Sequence, residues 1–389
     1  MVERPTTRIV LAGGGTAGHI APMIATAQAL AELPGAPELV CIGTARGLET
    51  RLVPEAGLPL ELIPPVPMPR RPTLALFKVP SRLAASVRRA GEVLDGDGAS
   101  PRASVVVGFG GYVSMPAYLA ARRRGIPVVV HEGNAVPGLA NRVAARFASR
   151  VLSTFADTPL PRCEHVGMPV RREIDALAAT GRAATRREAR EGFGLDPDRP
   201  TLVVTGGSQG ARSINTAVLA GRDDLLAAGV QVLHVWGPKN FTKDMQVVTD
   251  PTTGAAYHPV AYVDGMERAY AAADMLLCRS GAGTVYEAGI CGLPAVFVPL
   301  PHGNGEQARN ATGLVAAGGG VLVPDDELDA ARLLGEVLPR ILDDQALATM
   351  GAAGPALLGA GAAQAVARAV MDCVPQAGPR AGTTRPERN

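Results

Sequence analysis

A chain of 389 residues exceeds what one ordinary hydrophobic core organises, so two domains are expected. Apolar residues make up 47% and aromatics only 4%, with Gly and Ala abundant, a composition suited to close packing of helices on sheets. A formal net charge of +2 singles out no partner, and five scattered cysteines (Cys41, Cys163, Cys278, Cys291, Cys373) without a C-x-x-C pair argue against a disulfide framework or a zinc site.

Residues 8–12 (RIVLA) predict a first strand, too short an apolar run for the core of a signal peptide. No stretch reaches the roughly 18 consecutive apolar residues of a spanning helix, so a cytosolic protein, or one seated on a membrane without crossing it, is expected. Gly13-Gly14-Gly15-Thr16-Ala17-Gly18-His19 follows, then a helix over about 20–33. Gly13, Gly15 and Gly18 fit the G-x-G-x-x-G of dinucleotide folds. The second strand (39–43), however, is followed by Thr44, Ala45 and Arg46, not by the acidic residue a ribose needs, which disfavours NAD or FAD. His19 at the mouth of the turn is a candidate ligand neighbour; the alternative is a solvated helix start.

Between 62 and 91 lie Arg70, Arg71, Lys78, Arg82, Arg88 and Arg89, interleaved with Leu74, Leu76, Phe77, Val79 and Leu83. Apolar residues rimmed by cations suit anionic lipid headgroups; an ordinary amphipathic helix with a solvated basic face fits equally. No nucleic-acid motif accompanies the charge. Asp95-Gly96-Asp97 has the form of a metal-holding pair, but its Gly/Ser/Pro surroundings read as a solvated turn.

A strand over 104–107 leads into Gly108-Phe109-Gly110-Gly111-Tyr112-Val113-Ser114 and a helix over 115–124; a strand over 127–130 leads into His131-Glu132-Gly133-Asn134. With 13–19, these make three polar or Gly-rich loops at the carboxyl edge of one parallel sheet, where ligands bind in open α/β folds. After a strand at 150–154 and a Gly/Pro-flanked linker at 165–172, the pattern restarts: strand 201–204, Gly206-Gly207-Ser208-Gln209-Gly210, helix from 211. Strands over 230–235, 259–263, 275–278, 295–298 and 320–323 continue it, so two similarly built α/β domains with a cleft between them are expected. No Gly-Lys-[Ser/Thr] occurs, which disfavours ATP hydrolysis.

The stretch 273–311 is the most informative. It reads as strand, small-residue turn (280–283), helix (284–289), strand, polar loop and second helix. Unpaired amides at that first helix start suit a diphosphate; Glu287 suits the two hydroxyls of a ribose, and Gln307 sugar hydroxyls. Thr284-x-x-Glu287 also fits a capping box. Helices over 328–342, 345–358 and 362–371 precede a tail from 375 without apolar periodicity, expected to be disordered.

Gly14–His19, Gly110–Ser114, His131–Asn134, Gly206–Ala211, and Arg279-Ser280-Gly281-Ala282 through Glu287 and Gln307 together resemble the MurG family, over about residues 8–372. The resemblance implies an α/β GT-B fold: two Rossmann-like domains, 1–168 and 169–358, with an interdomain cleft and a C-terminal helix (about 360–373) crossing back onto the first. It implies inverting transfer of GlcNAc from UDP-GlcNAc to the 4-hydroxyl of MurNAc in lipid I, forming lipid II for peptidoglycan synthesis, at the inner membrane face. Donor contacts would come from Thr16, Ala17, Gly18, Asn134, Arg171, Ser208, Val263, Ala282, Gly283, Thr284, Val285, Tyr286, Glu287 and Gln307. His19 is the first candidate for general base and Glu132 the second. Neither metal nor cofactor is expected. Gly133 stands where the family usually has Gln, Ala17 replaces a frequent Gly, and Gly283 and Tyr286 depart from the commoner residues. Related enzymes that glycosylate diacylglycerol or a small metabolite, and a non-catalytic nucleotide-binding module, are the alternatives.

Overall fold

A computed structural model describes residues 7–66, 79–98, 100–207, 210–301 and 305–375. The first half alternates β1 (Arg8–Ala12), α1 (Ala17–Ala31), β2 (Glu38–Gly43), α2 (Glu49–Glu55), β3 (Leu60–Leu62), α3 (Val79–Asp95), β4 (Val105–Gly108), α4 (Gly111–Arg124), β5 (Val128–Glu132), α5 (Leu139–Ala144), β6 (Arg150–Ser153) and β7 (Cys163–His165). The strands pair in parallel in the order β3-β2-β1-β4-β5-β6-β7, the doubly wound arrangement. Continuous apolar strands follow from that topology: helices cover both faces, and all five residues of β1 are buried.

After α6 (Arg172–Thr180) and α7 (Arg186–Gly192) the second half contains β8 (Thr201–Thr205), α8 (Arg212–Ala220), α9 (Arg222–Ala227), β9 (Gln231–Val235), β10 (Val248–Thr249), β11 (Ala256–Val260), α10 (Met266–Ala272), β12 (Met275–Cys278), α11 (Ala282–Ile290), β13 (Ala295–Phe297), α12 (Glu306–Ala316) and β14 (Gly320–Leu322). They form the sheet β10-β11-β9-β8-β12-β13-β14, in which only β10 runs antiparallel. Helices α13 (Ala330–Ile341), α14 (Asp344–Leu357) and α15 (Ala362–Met371) complete the chain. Asp329 and Asp343 start α13 and α14 by accepting backbone N–H bonds from Arg332, and from Gln345 and Ala346. The apolar face of α15 (Ala363, Val366, Ala367, Val370) joins Ile9, Leu11, Ile20 and Leu30 in the core of the first half, against α1.

Several expectations shift. β5 runs on through His131 and Glu132, so both are buried strand residues and not loop residues beyond the sheet edge. β11 lies three residues earlier than the pattern suggested, and α11 starts at Ala282, two residues earlier. Short strands β3, β7 and β10 carry too few residues to show a period. The span Asp344–Met371 is long and apolar enough by composition to cross a membrane, but residues 358–361 divide it into α14 and α15. In α3 the apolar residues Val87, Ala90, Val93 and Leu94 face the core while Arg82 and Arg88 are exposed, as in an ordinary amphipathic helix. The remainder of the basic stretch, including Arg70, Arg71, Leu74, Leu76, Phe77 and Lys78, lies outside the described residues, as do Ser208, Gln209 and the tail from 376.

Candidate functional site

In the first half, β1, β4 and β5 are sheet neighbours, so the loops after them emerge side by side. The first turn of α1 carries half-buried His19; its Nδ1 lies 3.1 Å from Thr16 Oγ1, and the helix N-cap Thr16 makes no side-chain cap bond of its own. Burial holds the imidazole pKa below its ordinary value, opposed by a hydrogen bond to the Gly14 backbone and by the charge of Glu49. The ring rests on Gly110 and Gly111, where φ is +91° and +76° and an added Cβ would come within 3.3 and 3.4 Å of it. Only glycine combines that left-handed backbone with the close approach. Gly15, Thr16, His19, Arg46, Ser86 and Tyr112 face a cavity of about 340 Å³.

Glu132 is 2% exposed, and three donors occupy its carboxylate: Asn134 N–H at 2.9 Å on Oε1, and Gly138 N–H at 3.0 Å and Asn141 Nδ2 at 2.9 Å on Oε2. Burial pushes its pKa up and these hydrogen bonds pull it back. The arrangement shapes the loop that carries Asn134. Asn310 of α12, buried and absent from the sequence reading, reaches that loop: its Oδ1 accepts Ala135 N–H at 2.9 Å while its Nδ2 lies 3.4 Å from Asn134 Oδ1 and 3.4 Å from the Ser280 carbonyl. One amide thus joins the loop after β5 to the turn after β12.

That turn opens α11. Its N-cap is Gly281, with no side-chain cap and no acidic residue in the first turn, so the amides of Ala282, Gly283 and Thr284 lack intrahelical acceptors. Cβ atoms added at Gly281 or Gly283 would meet nothing within 4 Å, so the space above the amides is open. Arg279 braces the turn from beneath, paired with Asp325 and donating to the carbonyls of Val298 (3.2 Å) and Pro299 (3.1 Å) and to Ser213 Oγ on α8 (3.1 Å). Glu287 lies in the second turn, so the capping-box reading fails. Its Oε2 instead accepts the Tyr270 hydroxyl at 2.9 Å. Burial raises the Glu287 pKa, while Tyr270 and the charge of Arg171 lower it.

Other predicted positions are less open. Tyr286 is 1% exposed and donates to the Gly359 carbonyl at 2.7 Å, and Val285 and Val263 are buried. These residues can present backbone, or at most a side-chain edge, to a ligand. Gln307 turns its Oε1 to Leu300 N–H at 2.9 Å. Arg171 is half-buried at the N-cap of α6. Asp95, the last residue of α3, pairs with Arg124 at 2.7 Å, and Asp97 accepts Ser100 N–H at 2.9 Å in the exposed turn that follows. Buried Glu49 was also missed, because a Glu at a helix start reads as surface until its neighbours are seen.

Residues 9–153 match the family model of the glycosyltransferase family 28 N-terminal domain, and residues 201–368 that of the family 28 C-terminal domain. The chain is 58% identical over 377 residues to the UDP-N-acetylglucosamine--N-acetylmuramyl-(pentapeptide) pyrophosphoryl-undecaprenol N-acetylglucosamine transferase of Cutibacterium acnes, covering 96% of this chain and 99% of the relative. A protein of the same name from a Nocardioides species is 57% identical over 365 residues, with 94% and 98% covered. Among solved structures, Acinetobacter baumannii MurG superposes with a TM-score of 0.74 at 26% identity, covering 95% of this chain and all (100%) of the other. A calicheamicin glycosyltransferase, at 18% identity and a TM-score of 0.65 over 97% and 100% of the two chains, shares the fold alone. Relatives this similar along almost the whole chain, with both halves of the GT-B fold in place, show that the protein belongs to the MurG family within glycosyltransferase family 28.

Proposed function

We infer that this chain transfers N-acetylglucosamine from UDP-GlcNAc to the 4-hydroxyl of the muramyl sugar in lipid I, releasing UDP and forming lipid II. The observation that carries this reading is 58% identity over nearly the entire length of a relative named for that transfer. The natural-product glycosyltransferases of like fold are far more distant and favour no second acceptor. Turnover of UDP-GlcNAc with a lipid I analogue, set against diacylglycerol and against other nucleotide sugars, tests it. Transfer to diacylglycerol alone, or donor binding without turnover, would replace it.

The acceptor half comprises residues 1–168 with the returning C-terminal helix; the donor half comprises 169–358. The donor diphosphate sits over the free amides of Ala282, Gly283 and Thr284, with the positive end of the α11 dipole behind them. Glu287 takes the ribose hydroxyls, Gln307 and Asn134 the sugar, and Thr16, Ala17, Gly18, Ser208 and Val263 complete the contacts. In a single displacement the acceptor oxygen attacks the anomeric carbon opposite UDP, the bond from that carbon to the diphosphate oxygen breaks, and the acceptor proton passes to His19. In the tautomer that carries its proton on Nδ1, beside Thr16 Oγ1, Nε2 keeps its lone pair for the acceptor proton, and burial of the ring favours its neutral form. Glu132, fully engaged by its loop, serves to position Asn134. The charge growing on UDP meets helix amides and Arg171, preset donors that need no reorganisation. The acceptor half rests on the anionic inner leaflet through the basic 70–90 stretch, of which Arg82 and Arg88 stand exposed on α3.

A further inference from the structure

Glu49, the first residue of α2, is completely buried (0% exposed) and bonded to Gly15 and Thr44, two of the residues that line the cavity beside His19. Its Oε1 accepts Thr44 N–H at 3.0 Å and the Thr44 hydroxyl at 2.9 Å; its Oε2 accepts Gly15 N–H at 3.0 Å. One carboxylate therefore ties the turn after β1 to the turn after β2. Three glycines make room for it: Cβ atoms added at Gly14, Gly43 and Gly47 would lie 2.8, 2.6 and 1.8 Å from its side-chain atoms. A buried carboxylate is costly to keep, and a purely structural link between two turns needs no charge. We propose that Glu49 is a positioning residue of the acceptor site, fixing the Gly15 amide and with it the turn that carries His19.

The proposal rests on the reading of His19 as base, and the groups around the ring set its sign. Arg46 and Tyr112 line the same cavity, and Glu49 is the acidic group acting on the imidazole, favouring its protonated form against burial. Removing that charge disfavours imidazolium, so the acid limb of the rate profile moves to lower pH while the plateau falls, because the base is weaker and its turn looser.

The test is Glu49→Gln in the full-length enzyme, with kcat and KM measured for UDP-GlcNAc and for a lipid I analogue across pH. His19 ring signals, assigned by their loss in His19→Ala, are followed by NMR. Expected are a fall of about tenfold or more in kcat/KM for the acceptor, a smaller rise in the donor KM through Thr16, Ala17 and Gly18 on the same turn, and a His19 titration moved to lower pH. An unmoved His19 titration, or a donor KM raised as much as the acceptor's, overturns it. Should Glu49→Gln fail to fold, Gly47→Ala is read instead. Its methyl displaces the carboxylate but keeps the charge, and the same acceptor-side loss is expected, normal acceptor kinetics being fatal to the proposal. Near-normal kcat in His19→Ala would sink the base assignment alone, since the NMR shift in Glu49→Gln is read without turnover.

Discussion

Glu287 does not cap the helix that carries it. Its helix starts at Gly281 without side-chain help, so the carboxylate is released from capping, bonds Tyr270, and on the proposed reading takes the ribose hydroxyls. Glu287→Ala is expected to raise KM for UDP-GlcNAc by about tenfold or more, the scale of a lost charge-assisted hydrogen bond. Unchanged KM with a lowered melting temperature would mean that the Tyr270 contact is all it provides. His19→Ala is expected to lower kcat by about 10²–10⁴ while leaving donor KM near wild type, the usual contribution of a general base. If kcat stays near normal and only acceptor affinity weakens, the imidazole binds the acceptor and does not take its proton.

At the scale of elements, the opening of α11 has three unsatisfied amides, an unobstructed approach over Gly281 and Gly283, and Arg279 bracing it from below. On the proposed mechanism such a terminus, with Arg171, would supply the charge stabilisation that other glycosyl transfers take from a divalent ion. Activity is accordingly expected to persist in excess EDTA, and complete loss, restored by a divalent metal, would refute that account. The strands were largely legible because apolar runs bounded by Gly loops have few other readings; β12 and β1 coincide with their predicted limits. Boundaries failed where polar residues are buried. His131 and Glu132 look like loop, yet β5 absorbs them: His131 Nε2 meets the Gly167 carbonyl at 2.9 Å and Asn141 supports Glu132. Among candidate site residues, the Gly turns and Glu287 stand out by spacing, whereas Glu49 and Asn310 are tied to Gly15 and Ala135, 34 and 175 positions away. No local pattern encodes those contacts.

For the molecule as a whole, buried histidines make stability depend on pH. Burial depresses the pKa of His131 to about 4 and of His234 to about 3, from an ordinary 6.5. Below pH 6.5 the unfolded chain takes up protons that the folded chain refuses. Their stabilisation is therefore complete above 6.5 and is lost as pH falls toward 4 and below, at about 1.4 kcal/mol per pH unit for each histidine. Glu132 and Glu287, raised by burial, act with the opposite sign just above 4.5. Comparison with His234→Asn isolates the histidine share: between pH 7 and 5 the variant should lose less stability in urea than wild type, and equal losses would remove His234 from the balance.

The return of α15 to α1 also bears on how the protein can be divided. The polypeptide passes between its halves at 166–171 and again at 358–361, and the second passage delivers Val366 and Val370 into a core begun by Ile9 and Leu11. A fragment ending near 168 would carry a bare apolar trough where that helix belongs, prone to aggregation when expressed alone. Grafting residues 361–375 onto such a fragment through a short flexible tether should restore its solubility, whereas the donor half can forgo them.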